Sequence, residues 1–183
     1  MAYNETKLRE LVLYLARAQN DDYTFGRVKL AKLLYYSDME AYVRLGASIT
    51  GATYIKRQEG PAAREFVPVR DQMLAYGEAA EVEIVYPGGQ VAKKLEARRE
   101  PDVSHFSEAE LAIADKVVVD FAGWSGTRIS LKSHDEIGWL VARMDEVIPY
   151  QRYYVAPEMS SGERAKAEEI VTRLNLTSMA GAA

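Results

Sequence analysis

The chain has no cysteine. That excludes a disulfide framework, thiolate metal sites and a cysteine nucleophile, and it fits a reducing compartment. Histidine is almost as scarce, so imidazole chemistry could rest only on His105 and His134. No apolar run approaches the length that crosses a membrane, and residues 1–7 lack the apolar stretch of a secretory signal. A soluble cytoplasmic protein with no membrane partner is expected. An excess of positive charge is missing too: a formal net charge of -4 argues against coating nucleic acid through its phosphates, which needs a basic face. The densest basic stretch, Lys93, Lys94, Arg98 and Arg99, is interrupted by Glu96 and Glu100 and reads as a solvated strand face. Gly88-Gly89 has no following helix or Lys-Ser pair, so it is a hairpin turn and not a phosphate loop.

What the sequence has in quantity is apolar helix. In 27–46, Leu30, Leu33, Leu34, Ala41 and Leu45 recur at helical spacing, and Val28, Tyr35, Met39 and Tyr42 widen the apolar arc. A helix apolar on most of its circumference is predicted to lie inside the domain. Arg27, Lys29 and Lys32 crowd its first turns, where the dipole prefers carboxylates, and they read as solvated or locally paired charges with Asp21 and Asp22 just upstream. Asn4 caps an earlier helix with Leu8, Leu11, Val12 and Leu15 on one face. Residues 49–57 read as extended, Gly60-Pro61 as the start of a new helix, and 62–76 as that helix, kinked or split at Pro68 and closed by Gly77. Residues 82–86 and 91–98 form a hairpin, for which 53–57 is the natural third strand because two strands alone are marginal. Ser107 and Glu110 open a helix with Leu111, Ala114, Val118, Phe121 and Ala122 on one face. Ser160 and Glu163 open a last helix with Ala167, Ile170, Val171 and Leu174 inward, and 177–183 is a frayed tail whose final alanines resemble those that unfolding proteases grip. At 183 residues this is one α+β domain, 1–183, mainly helical around a buried central helix, with a small three-stranded antiparallel sheet.

Chemistry is hard to place. His134-Asp135-Glu136 concentrates ionisable groups, but a lone His-x-Glu lacks a partner and a pocket, and zinc-ligand spacing is not evident. Ser125-Gly126-Thr127 reads as a helix start and not a nucleophile elbow. These residues are better suited to structure: an imidazole donating to a backbone carbonyl, a carboxylate capping the next helix, and Trp139 burying a large area.

Three stretches carry a resemblance. Lys29-Leu30-Ala31-Lys32-Leu33-Leu34-Tyr35-Tyr36, then Gly60-Pro61-Ala62, then Leu131-Lys132-Ser133-His134-Asp135-Glu136-Ile137-Gly138-Trp139 together resemble the Panacea domain of SocA-like antitoxins and phage-associated proteins. The resemblance covers the core, 28–139. Ala62 stands where the family has valine, Ser133 where it has threonine, and Gly138 where it has proline, which predicts a looser chain near Trp139. The resemblance implies a bacterial toxin–antitoxin protein that neutralises a cognate protein toxin by direct contact. In the SocA type it also implies delivery of that toxin to an ATP-dependent protease. The contact surface expected on this basis comprises Lys29, Lys32, Tyr36, Gly60, Pro61, His134, Glu136 and Trp139, with no catalytic residue, no metal and no cofactor. Twelve tyrosines, a residue favoured at interfaces, agree with a binding role. Two other functions stay open. A DNA-binding regulator would use the 82–98 hairpin as a wing, and an enzyme acting on a nucleotide would need a pocket joining His134 and Glu136 to His105 and a basic residue.

Overall fold

The computed structural model describes residues 2–153, except 23, 87, 88 and 90, together with positions 162, 165, 166, 169 and 172. The inward side chains expected on the last helix, the extended piece at 154–155 and the 177–183 tail lie outside the described residues. The order is α1 (Glu5–Ala18), α2 (Arg27–Leu45), β1 (Tyr54–Arg57), β2 (Gly60–Ala63), α3 (Phe66–Ala75), β3 (Ala79–Val85), β4 (Val91–Ala97), α4 (Glu108–Asp120), α5 (Gly126–His134) and α6 (Ile137–Val141). Single 3-10 turns stand at Val103–His105 and Tyr150–Arg152. Among the described residues no helix is long and apolar enough to cross a membrane.

Helix α2 is central, as its wide apolar arc requires. It meets α1, α4, α5, β2 and β4, and its residues from Lys32 to Met39 are all buried. Gly46, at φ 76, ends it with a left-handed cap that any side chain would strain. Asn4 caps α1 by accepting from Lys7 N at 3.0 Å, and the Ser107–Glu110 capping box opens α4. The inner face of α4 is Ile113, Ala114, Val117 and Phe121, which corrects the expected one: Leu111 and Val118 are half-buried and Ala122 is exposed.

The expected three-stranded sheet does not form. There are two antiparallel pairs, β1 with β2 (Tyr54↔Ala63, Arg57↔Gly60) and β3 with β4 (Ala79↔Ala97, Val85↔Val91). Both sides of β1 are already occupied, one by β2 and the other by 145–148, through Ile148 N to Tyr54 O (2.8 Å), Lys56 N to Glu146 O (3.0 Å) and an Ile55↔Val147 bridge. The β3–β4 hairpin is laid instead on α1, α2 and α3.

Gly60-Pro61 likewise belongs to a strand and not to a helix start. β2 is an edge strand, where the missing N–H of Pro61 costs no ladder bond. The next helix begins only at Phe66, so Pro68 falls in its first turn, where N–H groups have no intrahelical acceptor, and neither kink nor split is needed. The basic stretch is also less solvated than its sequence suggests. Lys94 is buried with its ammonium on Asn20 O (2.5 Å), and Arg99 bridges Glu10 and Glu78 (2.6 and 2.9 Å).

Candidate functional site

The three motifs converge where α2 crosses β2 and α5. Lys29 and Lys32 face inward, at 0% and 2% exposure. Lys29 Nζ donates to Asp22 Oδ2 (2.5 Å) and Thr24 Oγ1 (3.3 Å), which is the local pairing its neighbours suggested, although Lys29 itself is buried. Lys32 Nζ instead crosses to β2 and donates to Pro61 O at 2.6 Å. Gly60, at φ 96, leaves the room for this, because a Cβ there would meet Ser133 Oγ and the end of Lys32. Ser130 and Ser133, one turn apart on α5, bond Glu59 O and Ser130 O.

The α5–α6 corner closes over this crossing. Glu136 occupies the N-cap position of α6 but makes no side-chain cap bond; its carboxylate turns inward and accepts from the Tyr35 hydroxyl. The expected capping role is therefore replaced by a bond to α2. Tyr36, 3% exposed, lies near the same carboxylate; burial, and then Glu136, hold its hydroxyl above the usual tyrosine range. His134 stacks on Trp139 with centroids 4.0 Å apart and planes 13° from parallel. Trp139 Nε1 donates to Arg57 O at 3.1 Å, and Lys56 Nζ sits 4.0 Å above its ring. Burial, then the Lys32 charge, push the His134 ring below its ordinary value, while a bond to the Gln58 backbone acts the other way. Gly138 does not loosen the chain: its bare Cα lets Ile148 and Arg152 approach, and a Cβ would come 2.8 Å from Ile148 Cγ2.

Burial sets the charge states here. It pushes Glu136 up to about 7 despite its bonds to tyrosine, and pulls Lys32 down to about 7 despite Glu59 and Glu136. Between 4.5 and about 7 the folded chain keeps a Glu136 proton that the unfolded chain has lost, so stability falls as pH rises. Between about 7 and 10.5 the unfolded chain holds a Lys32 proton that the folded chain has lost, so stability rises with pH. The urea midpoint should pass through a minimum near neutral pH. Lys32→Met should flatten the alkaline rise and Glu136→Gln the acid-side fall; a wild-type midpoint that does not climb above neutrality contradicts this assignment.

Of the sequence-predicted site residues, Lys29, Lys32, Tyr36, Gly60 and Pro61 are buried, and His134, Glu136 and Trp139 are half-buried. All but Lys29 meet at the crossing or its corner. His105 is elsewhere, on an exposed turn beside α1 and 3.5 Å from Asp102, so His134 and Glu136 are not joined to it. Among the described residues no cluster of His, Asp and Glu could hold a metal ion. Two grooves flank the crossing. One of 570 Å3 lies against Lys32, Gly60, Arg57 and Met144; one of 850 Å3 runs between the hairpin and the starts of α2 and α5.

Sequence reasoning missed a fully buried carboxylate, Asp38, which accepts from Thr50 N (2.8 Å) and Tyr54 OH (2.8 Å). Its signal was present: a carboxylate among Tyr35, Tyr36 and Met39 on an apolar helix needs buried donors.

The model of the SocA-like antitoxin family, Panacea domain, matches residues 30–140, more than half of the chain. No curated protein and no solved structure matches it. The matched stretch runs from α2 through α6 and contains every residue of the crossing. The chain belongs to the SocA-like antitoxins of the Panacea-domain family, whose role is of the general antitoxin type.

Proposed function

We propose that this chain neutralises a cognate protein toxin by direct contact in the cytoplasm, and that it can hand the bound toxin to an ATP-dependent protease. Family membership over 30–140 carries this reading. The site supports it in a particular form. The buried motif residues Lys29, Lys32, Tyr36, Gly60 and Pro61 act through the surface they hold in shape, while His134, Glu136 and Trp139 reach its margin. Beside that margin α5, α6 and the following loop expose Leu131 (61%), Val141 (43%) and Met144 (56%). Exposed large apolar side chains on adjoining elements are what a protein contact would cover.

Co-expression with the product of the neighbouring open reading frame tests this. That product should be toxic alone, co-purify with this chain and lose its toxicity. The double substitution Leu131→Asp and Val141→Asp should abolish rescue and weaken binding by about a hundredfold, roughly 3 kcal/mol, with the urea midpoint unchanged because both sites are exposed. Undiminished rescue would move the contact surface elsewhere. Toxin half-life in cells lacking each ATP-dependent protease separates delivery from sequestration: a half-life that this chain shortens only when the protease is present supports delivery.

A further inference from the structure

The β3–β4 hairpin has one side that the domain leaves open. Its register, with Arg98 N donating to Glu78 O at 2.8 Å, fixes which backbone groups point where. Even-numbered residues of the two strands bond across the hairpin. The N–H and C=O of Glu81, Glu83 and Val85 therefore point away from β4, and those of Lys93 away from β3. On the β4 side the domain is close: α1 and α2 pack on β4, and a Cβ at Gly26 would stand 3.6 Å from Lys93 O. On the β3 side none of the described residues bonds the outward groups of 81, 83 and 85, and Glu83 and Val85 are exposed.

Strands left open in this way are usually guarded by charge. Here the guard is thin. The Glu81 carboxylate is drawn onto the hairpin face, where Arg27, Lys93 and Arg70 share it at 3.1, 3.3 and 3.9 Å. That leaves Glu83 to protect the strand, beside Val85 at 69% exposure and its cross-strand partner Val91 at 60%. Glu83 also bears on which strand can be added. A second copy pairing antiparallel through all three outward residues would be centred on position 83 and would set two Glu83 carboxylates opposite each other, which is destabilising. A different protein meets no such conflict.

We propose that the open side of β3 accepts an extended segment of the partner protein as a third strand. It bonds the N–H and C=O of Glu81, Glu83 and Val85, and it carries a non-acidic residue beside Glu83 and an apolar, β-branched one beside Val85. That the partner is the toxin rests on the antitoxin reading, to which this adds a second contact, made by backbone. Hydrogen exchange of the full chain, alone and with the neighbouring gene product bound, tests it together with Glu83→Pro. Amides 81, 83 and 85 should exchange readily in the chain alone and at least about tenfold more slowly in the complex. Proline at 83 removes an N–H that the hairpin does not use, so amides 80, 82 and 84 should stay protected while binding weakens about tenfold. Glu83→Gln keeps the amide and should bind like wild type. Unslowed amides in the complex, equal binding by the proline variant, or the same loss in the glutamine variant would overturn the proposal and leave the antitoxin reading standing. Amides already slow in the free chain, or slowed as it dimerises, would do the same. Should the proline variant unfold, exchange in the wild-type complex decides alone. A neighbouring product that does not bind at all removes both readings.

Discussion

Gly60→Ala is expected to lower stability by about 3–5 kcal/mol, combining strain of roughly 1–3 kcal/mol for a side chain in the left-handed region with a similar overpacking cost. At φ 96 the backbone disfavours any Cβ, and that Cβ would also collide with Ser133 Oγ and stand 2.9 Å from Lys32 Cε and Nζ. All three neighbours are buried at the crossing of α2, β2 and α5, so relief requires turning Ser133 Oγ off Ser130 O as well as displacing Lys32 from Pro61 O. A fall in melting temperature of about 10 °C is the corresponding thermal signature for a chain of this size. Gly46→Ala supplies the control, because Gly46 is also left-handed, at φ 76, but has nothing within 4 Å of its would-be Cβ. It should lose only about 1 kcal/mol of backbone strain. Equal losses in the two variants would mean that the close approach of β2 to α5 is not what requires glycine.

Asp38→Ala should cost about 3–4 kcal/mol, because it strips acceptors from groups that have lost water. The Asp38 side chain is fully buried, and burial pushes its carboxyl up to about 6 although Thr50 and Tyr54 bond to it. Removing it deprives Thr50 N, held at 2.8 Å, of its acceptor and opens a small cavity, whereas Tyr54 OH keeps Leu34 O at 3.1 Å. Asp38→Asn keeps the volume and one acceptor oxygen and should lose less than half as much. Urea unfolding of both variants settles the ordering; an alanine variant as stable as the asparagine one would show that neither the retained acceptor nor the retained volume matters there.

These effects concentrate on α2, whose position was readable from composition and period alone. Its bounds and central burial follow from apolar residues on most of its surface, and Gly46 ends it as a glycine after a helix should. The ends of its long side chains were not readable. Helical spacing fixes where a Cα lies but not where a lysine amine goes, and Lys32 spans to a carbonyl 29 positions further along the chain. Gly60-Pro61 was misread for a related reason: proline suits both a first helical turn and an edge strand, and only the neighbours of β2 decide. The sheet was misassigned because strand partners are set by tertiary contact, and 145–148, which carries no strand pattern of its own, takes the free side of β1. For the candidate site, motif order brought the right residues together. It could not tell that Glu136 would bond Tyr35 and not cap α6, since the cap is a local option while the Tyr35 hydroxyl lies 101 positions away and only the fold brings it near.

The bonds from 145–148 to β1 also bear on how this protein can be cut or grafted. The family-matched stretch ends at 140, before this segment, and begins at 30, after α1 has contributed Leu8, Leu11, Val12 and Leu15 to the core. A piece trimmed to the matched stretch would therefore bare an apolar flank of α2 and leave β1 with an unpaired edge, the kind of template on which chains add to one another. The unit that can be moved onto another protein is accordingly larger than the signature by which its kind is recognised, and takes in 4–153.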